Sequence, residues 1–394
     1  MLKHKPIIVL DMPGHPFQYE LAKNLSLSQE SKVIHIHNPK QLGPKSQFEN
    51  SKNFRVEKVS KTISRNHFVR VWDEIVFACL LISKISKLKP QSVLSSNNPI
   101  ISQFFLWIYC WIFNIKFVYW LQDIYGIAIK KILTKQKNIL AIPVSSIFHF
   151  IEFFILKRSN HIITISPDFD QVLLNEKVDK SKITCIPNWA PLNDIPVVDK
   201  KNAFTEEHNI YNSFNILYSG TLGFKHNPDV LINLAEYIIS NDLEIKMVIA
   251  SQGPTIDYVK KESAKRGCDS VILFLPFQDF DIFPQVLASA DISLVMLEDE
   301  AGEFCVPSKL LSILCSKRIP IVYVPKNNLS AKIVTDNKCG FNVSSEKELF
   351  NQITEIYLNQ SKYNYIQENA RKYAEENFRI DEITEKFNKI LSSK

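Results

Sequence analysis

The chain has 394 residues, 45% of them hydrophobic and 22% charged, with a net charge of +6. That length can bury two ordinary cores, and the composition excludes a disordered or low-complexity chain. The charge is uneven: residues 1–190 hold 25 Lys+Arg against 13 Asp+Glu, a net of +12, while residues 191–394 hold 22 against 28, a net of −6.

Hydrophobic runs alternate with helical patterns from the start, the signature of parallel sheets covered by helices. In the first half the pattern predicts strands at 7–10, 32–36, 54–59, 92–95, 117–120, 162–165 and 183–186. The N-terminal MLKHKPIIVLDMPGHP has too short an apolar run for a secretory signal, so a cytoplasmic protein is expected. Seven scattered cysteines without a Cys-x-x-Cys pair fit a reducing compartment and argue against structural zinc.

Two segments of the first half are rich in aromatic and aliphatic residues, 100–117 (IISQFFLWIYCWIFNIKF) and 147–156 (IFHFIEFFIL). Gln103, Asn114 and Lys116 interrupt the first, and the second is about half of the roughly 20 residues that a span needs. Both are expected mainly as core helices. The cations Lys130, Lys131, Lys135, Lys137, Lys157 and Arg158 close by favour an anionic membrane surface over nucleic acid as the partner of this basic half. Peripheral attachment to the inner face of the plasma membrane is the expectation.

A polar, proline-containing stretch at 187–213 has linker composition, which divides the chain into domains at 1–195 and 196–376. The second half repeats the scheme, with strands predicted at 216–218, 245–250, 271–275, 292–296 and 319–324. The tail from 363 to 391 reads as one or two charged helices, bent near Asn377 and Phe378, with 377–394 a separate final element. The fold class is therefore α/β, two Rossmann-like domains.

The stretch YSGTLGFKHNP, residues 218–228, carries the strongest chemical signal. Gly220 and Gly223 permit a tight turn after a strand, Asn227 and Pro228 supply a helix cap and first turn, and Lys225 adds an ammonium beside the loop amides. A helix start with a cation beside it suits a phosphate. In a doubly wound domain the loops after its strands share one edge, so Gly253, Phe277 and the 297–309 loop converge with this turn. Val306, Pro307, Ser308 and Lys309 open a second helix there, again with a lysine in its first turn. Two cationic helix starts suit a diphosphate. The acidic residues before them, of which Glu303 is the favoured one, suit sugar hydroxyls.

With Tyr119-Trp120-Leu121-Gln122-Asp123, Ile186-Pro187-Asn188-Trp189-Ala190, YSGTLGFKHNP and the VPSKLLSIL block at 306–314, the chain resembles the GT-B glycosyltransferases of family 4, in the subgroup of colanic acid and O-antigen sugar transferases. The resemblance implies two Rossmann-like domains facing across a cleft, with a nucleotide diphosphate sugar held by the second and a polyprenyl-linked or saccharide acceptor by the first. It implies a final helix crossing back to the first domain, retention of anomeric configuration in surface polysaccharide synthesis, and no required metal or cofactor. Carried over to this chain, Lys225 contacts the diphosphate, Gly220 lies closest to the nucleotide, and Gly14 approaches the phosphates. Glu303 lies near the first glutamate of the family's pair, offset by one residue because Phe304 holds the strict spacing.

Three positions depart from the pattern: Ser312 stands where the second glutamate is usual, Thr221 where an arginine is frequent, and Lys317 where a glycine is common. On the acceptor side, Gln122 replaces a histidine found in many members, Asp123 is an active-site candidate or a structural cap, and His15 lies in the first loop. Two other readings use the same fold pattern. One is epimerisation of a nucleotide sugar, which gives no role to the basic aromatic first half; the other is a two-lobed binding protein without catalysis, which the cysteines and the N-terminus disfavour.

Overall fold

A computed structural model describes residues 5–28, 32–41, 49–64, 67–127, 141–223, 226–253, 255–298 and 306–392. Two compact units emerge, one of residues 1–188 with 380–394 and the other of residues 189–379.

In the first unit, β1 (Ile7–Asp11), β2 (Val33–His37), β3 (Phe54–Lys58), β4 (Ser92–Ser96), β5 (Lys116–Leu121), β6 (His161–Thr164) and β7 (Ile183–Cys185) form one sheet in the order β3-β2-β1-β4-β5-β6-β7. Each pairing is parallel. Every residue of β1, β2 and β4 is buried, as expected of strands covered on both faces, whereas the edge strands β3 and β7 are partly exposed. The helices between them are α1 (Pro16–Ser28), α2 (His67–Leu88), α3 (Ile100–Ile112), α4 (Ala141–Arg158) and α5 (Pro167–Asn175). The two aromatic segments thus form α3, which ends at Ile112 before the buried β5, and part of α4. Among the described residues, no helix is long and apolar enough to cross a membrane.

In the second unit, β8 (Phe214–Ser219), β9 (Ile245–Ala250), β10 (Ile272–Leu275), β11 (Ile292–Met296), β12 (Ile319–Tyr323) and β13 (Phe341–Val343) form a parallel sheet in the order β10-β9-β8-β11-β12-β13. Its helices are α6 (Ala203–Glu207), α7 (Asp229–Ser240), α8 (Ile256–Lys265), α9 (Phe283–Ala288), α10 (Lys309–Cys315), α11 (Leu329–Asp336), α12 (Glu346–Leu358) and α13 (Asn364–Asn377). The strand order reverses direction between β8 and β11, and in the first unit between β1 and β4. Such switch points are where doubly wound sheets receive ligands.

The stretch expected as a polar linker is better anchored than its composition suggests. Trp189, Ala190, Ile195 and Phe204 are buried, and α6 opens with a capping box between Asn202 and Thr205. Arg371 of α13 donates to the carbonyls of Cys315 at 2.7 Å and Ile195 at 3.2 Å, which satisfies the end of α10.

The last helix, α14 (Ile380–Ser392), belongs to the first unit. Ile383, Thr384, Phe387 and Leu391 are its buried residues, a stripe at helical spacing. Phe387 meets the edge of Trp120 with ring centroids 4.7 Å apart, and Lys116 Nζ donates to the Ile390 carbonyl at 2.5 Å. Replacing a fully buried aromatic leaves a cavity, so Phe387→Ala should destabilise the first unit by about 3–5 kcal/mol. A urea titration followed by tryptophan fluorescence reads this; an unshifted transition would mean that α14 contributes nothing to that core.

Candidate functional site

At the end of β8 the chain must turn away from a strand buried on both faces. Gly220 does so at φ +111°, in the region that favours glycine. The turn is then fastened to the loop after β9: Gly220 N–H donates to the Ala250 carbonyl at 3.1 Å and Leu222 N–H to Gln252 at 2.9 Å. Ser251 Oγ donates back to the Gly220 carbonyl at 2.7 Å, and Thr255 Oγ1 to the Leu222 carbonyl at 2.9 Å. Gly253, at φ +139°, passes so close that a Cβ there would lie 2.2 Å from the Leu222 oxygen. No other residue fits at that position.

This geometry corrects two sequence expectations. The amides of Gly220 and Leu222 are spent on the β9 loop, and Gly223 N–H donates to His226 Nδ1 at 2.9 Å, so the turn does not present them as an anion cradle. The helix α7 begins at Asp229, Asn227 is left-handed at φ 47°, and the N-cap residue Pro228 makes no side-chain cap bond. The expected Asn227 cap is not formed. Asp229 brings a carboxylate to the first helical turn, where its Oδ1 accepts from Tyr258 OH at 2.6 Å and competes with any anion for the helix dipole.

Lys309 supplies a cation to the same turn. Its Nζ lies 3.8 Å from the centroid of the Tyr218 ring, and a Cβ on Gly220 would lie 3.5 Å from Lys309 Cε and Nζ. Burial pushes the Tyr218 phenol well up, so it stays a neutral donor, bonded to the Thr221 carbonyl at 3.1 Å. A small cavity of ≈20 Å³ adjoins Lys309, lined also by Leu217, Ser219, Phe283, Leu287, Ser293 and Ile313. It has room for about one water.

Of the other residues expected here, Thr221 and Ser308 are exposed, and Gly223, Phe277, Val306, Pro307 and Ser312 are half-buried. Phe277 follows β10, two strands from β8, so it marks the far side of the edge. Ser308 is the N-cap residue of α10 in position but makes no side-chain cap bond. Lys225 and Glu303 lie outside the described residues.

The first unit carries a polar cluster at its own switch point. Asp11, the fully buried last residue of β1, accepts from His15 N–H at 2.5 Å and lies 3.1 Å from His15 Nδ1. Asn97, which follows β4 at φ 49°, donates to Asp11 Oδ1 at 3.0 Å and bridges the two strands. Gly14, at φ +78°, leaves no easy room for a side chain, since a Cβ would meet His37 Nδ1 at 3.1 Å. Burial pulls the His15 pKa down, but the Asp11 charge and hydrogen bond outweigh it, with Asp123 adding to them, and the net shift is upward. Burial likewise raises Asp11, and His15 overcomes it to leave the carboxyl low. The two form an ion pair. Gln122 is tied to Asn188 by reciprocal amide bonds of 3.2 and 2.6 Å, which gives it a structural role between two loops.

Residues 200–373 match the family model for glycosyl transferases group 1. That match falls within the second unit. A 162-residue stretch is 26% identical to WcaI of Escherichia coli (strain K12), named as a colanic acid biosynthesis glycosyl transferase; it covers 40% of this chain and 39% of that protein. Among solved structures, HepE of Anabaena in complex with UDP and glucose is 16% identical, with a TM-score of 0.73 over 99% of this chain and 100% of that one. Sucrose-phosphate synthase from Thermosynechococcus elongatus is 13% identical, with a TM-score of 0.76 over 98% of each chain. The fold is GT-B.

In the first unit, three polar residues escape a motif-led reading: the buried Asp11 and Glu152 and the half-buried Asn97. Each left a trace. Asp11 closes an otherwise apolar strand, Asn97 precedes Asn98-Pro99, and Glu152 is the lone acid in IFHFIEFFIL. A charge among residues that are otherwise buried needs a partner, and here each has one.

The ion pair sets a pH window. The raised His15 contributes stability that is complete below its unfolded pKa and is lost as pH rises through the folded value. The lowered Asp11 contributes stability that is lost as pH falls through its folded value. Asp11→Asn should therefore move the His15 titration to lower pH, read from imidazole NMR shifts. A His15 titration that stays in place would exclude Asp11 as its main partner.

Proposed function

We propose that the chain transfers a sugar from a nucleotide diphosphate donor with retention, onto a lipid-linked or saccharide acceptor in surface polysaccharide synthesis. The supporting observation is Lys309, packed against Tyr218 and Gly220 at the β8 end of the matched segment. Because the amides of Gly220, Leu222 and Gly223 are consumed internally, neutralising the departing diphosphate falls mainly to side chains, Lys309 and the motif lysine Lys225, and to the start of α10. These cations do the work a metal does elsewhere, so no metal is required. Glu303 accepts hydrogen bonds from the donor sugar. The solved complex of HepE with UDP and glucose makes uridine diphosphate sugars the first donors to test.

On the acceptor side, the polar edge of the first unit with His15 and Asp123 suits hydroxyl and phosphate groups. A peripheral attachment to anionic lipid fits its surface. Trp111 is 71% exposed and Phe150 67% exposed, and they are joined through Trp107 and Phe154 by ring contacts between α3 and α4. Arg158 lies 3.9 Å over the Phe154 ring, beside Lys157.

A thermal-shift screen of uridine and guanosine diphosphate sugars, followed by nucleoside diphosphate release in the presence of membrane extract, tests the reaction. Lys309→Ala and Lys225→Ala should each lower kcat by about 10²-fold. Unchanged rates in both would remove the electrostatic mechanism, and an isomerised sugar without acceptor consumption would mark an epimerase. Separately, the Trp111→Ser, Phe150→Ser double variant should bind anionic vesicles roughly tenfold more weakly than the wild type in flotation assays. Equal flotation would exclude this face.

A further inference from the structure

We propose that Glu152 is a positioning residue, whose carboxyl grips two successive amides and so fixes the turn after β5 that carries Asp123. Its relevance to catalysis rests on the transferase reading above; its grip on the turn does not.

Glu152 lies on α4 and is fully buried. Oε1 accepts from Tyr125 N–H at 3.1 Å and Oε2 from Gly126 N–H at 2.7 Å, so each oxygen has its own donor. Gly126 is pressed onto the helix one turn earlier: a Cβ there would lie 2.7 Å from His149 Cα and 2.9 Å from Glu152 Oε2. Ile124, between Asp123 and the two amides, is itself buried. The turn is therefore seated on α4 and tied to it at consecutive residues, which restricts the backbone of Asp123 two residues away.

The grip depends on ionisation. Burial drives the Glu152 carboxyl up to about 8, against the two amides that favour the charged form, and the Asp123 charge pushes it further up. Among the described residues, the other titratable groups around it are Tyr119 from β5, whose phenol is itself raised by burial and by Glu152, Tyr125 on the turn, and His149 on α4. The His149 ring nitrogen is 3.3 Å from Glu176. A carboxylate accepts from both amides. Once protonated, one oxygen becomes a neutral hydroxyl and a poorer acceptor, and the bond it receives weakens. The turn is thus held more tightly as pH rises through the Glu152 titration.

Two readouts on the full-length protein test this. In wild type, protection of the Tyr125 and Gly126 amides from hydrogen exchange, corrected for base catalysis, should increase through pH 8. In Glu152→Gln, which has similar volume and a single acceptor oxygen, protection should be lower and independent of pH. The transfer rate should follow, with an alkaline rise in wild type that the Gln variant lacks, and about tenfold lower kcat in that variant at pH 9 with donor KM unchanged. Glu152→Asp, which keeps the carboxylate, should restore part of the pH dependence. Wild-type protection of both amides in the Gln variant overturns the inference. Altered protection with no transfer from any donor supports the grip and removes the transferase reading instead.

Discussion

Parallel strands covered on both faces impose one constraint on this molecule: polar chemistry can only collect where the strands end. Along β1, β4 and β11 every residue is buried. Within them, Ser95 and Ser96 bond to Gln103 and Gln18, while the buried hydroxyls of Ser92 and Ser293 make no hydrogen bond among the described residues. At the carboxyl ends the sheet's hydrogen bonding stops and the loops must satisfy their own backbones. Both units meet that demand in loops that border the switch point of the sheet. In the first, Asn97 bridges to Asp11; in the second, the loops after β8 and β9 bond to each other.

That internal bonding decides what the second-unit edge can offer a ligand. A glycine-rich turn before a helix is commonly taken to aim its amides at phosphate. Here Gly253 approaches Leu222 so closely, and Thr255 and Ser251 hold the intervening carbonyls so firmly, that the turn is rigid rather than receptive. Rigidity has its own use. The turn forms a fixed floor on which the Lys309 stem lies, held between the Tyr218 ring and the Gly220 backbone, and a cation on a fixed mount is better preorganised than one on a mobile chain.

The strands were legible because both-face burial writes them as short apolar runs; a strand forms at each of the twelve predicted positions. β13 was not, since Phe341-Asn342-Val343 is three residues long with an amide in the middle. Helix starts were misplaced where proline misled: Pro228 precedes the helix instead of opening its first turn, and Ser308 reaches the N-cap without capping. The site was legible in kind, in that Gly220, Gly253 and Lys309 do share one edge, but not in detail. Which amides are consumed depends on contacts between Leu222 and residues about 30 positions away, which no local pattern encodes. Lys225 and Glu303 fall outside the described residues, so their roles still rest on the motif alone.

The first-unit edge shows how two equally buried carboxyls are driven apart. Asp11 has the His15 imidazole 3.1 Å away across the loop after β1, and its charge and hydrogen bonds outweigh burial, so the carboxyl is held low. Glu152 is given two amide dipoles, which are weaker than a charge, and burial prevails. Asp123 favours the proton on both His15 and Glu152. The edge thus has an ion pair at β1, present between the Asp11 and His15 titrations, and a conditional charge beneath the β5 turn. Ionising Glu152 also works against the fold, because a carboxyl with a raised pKa contributes stability that is lost as pH rises from its ordinary value towards about 8. A well-packed leucine at that position would be the simpler core. A buried acid whose two acceptor oxygens match two consecutive amides makes better sense as a device that holds a turn than as packing, and the turn it holds is the one that carries Asp123.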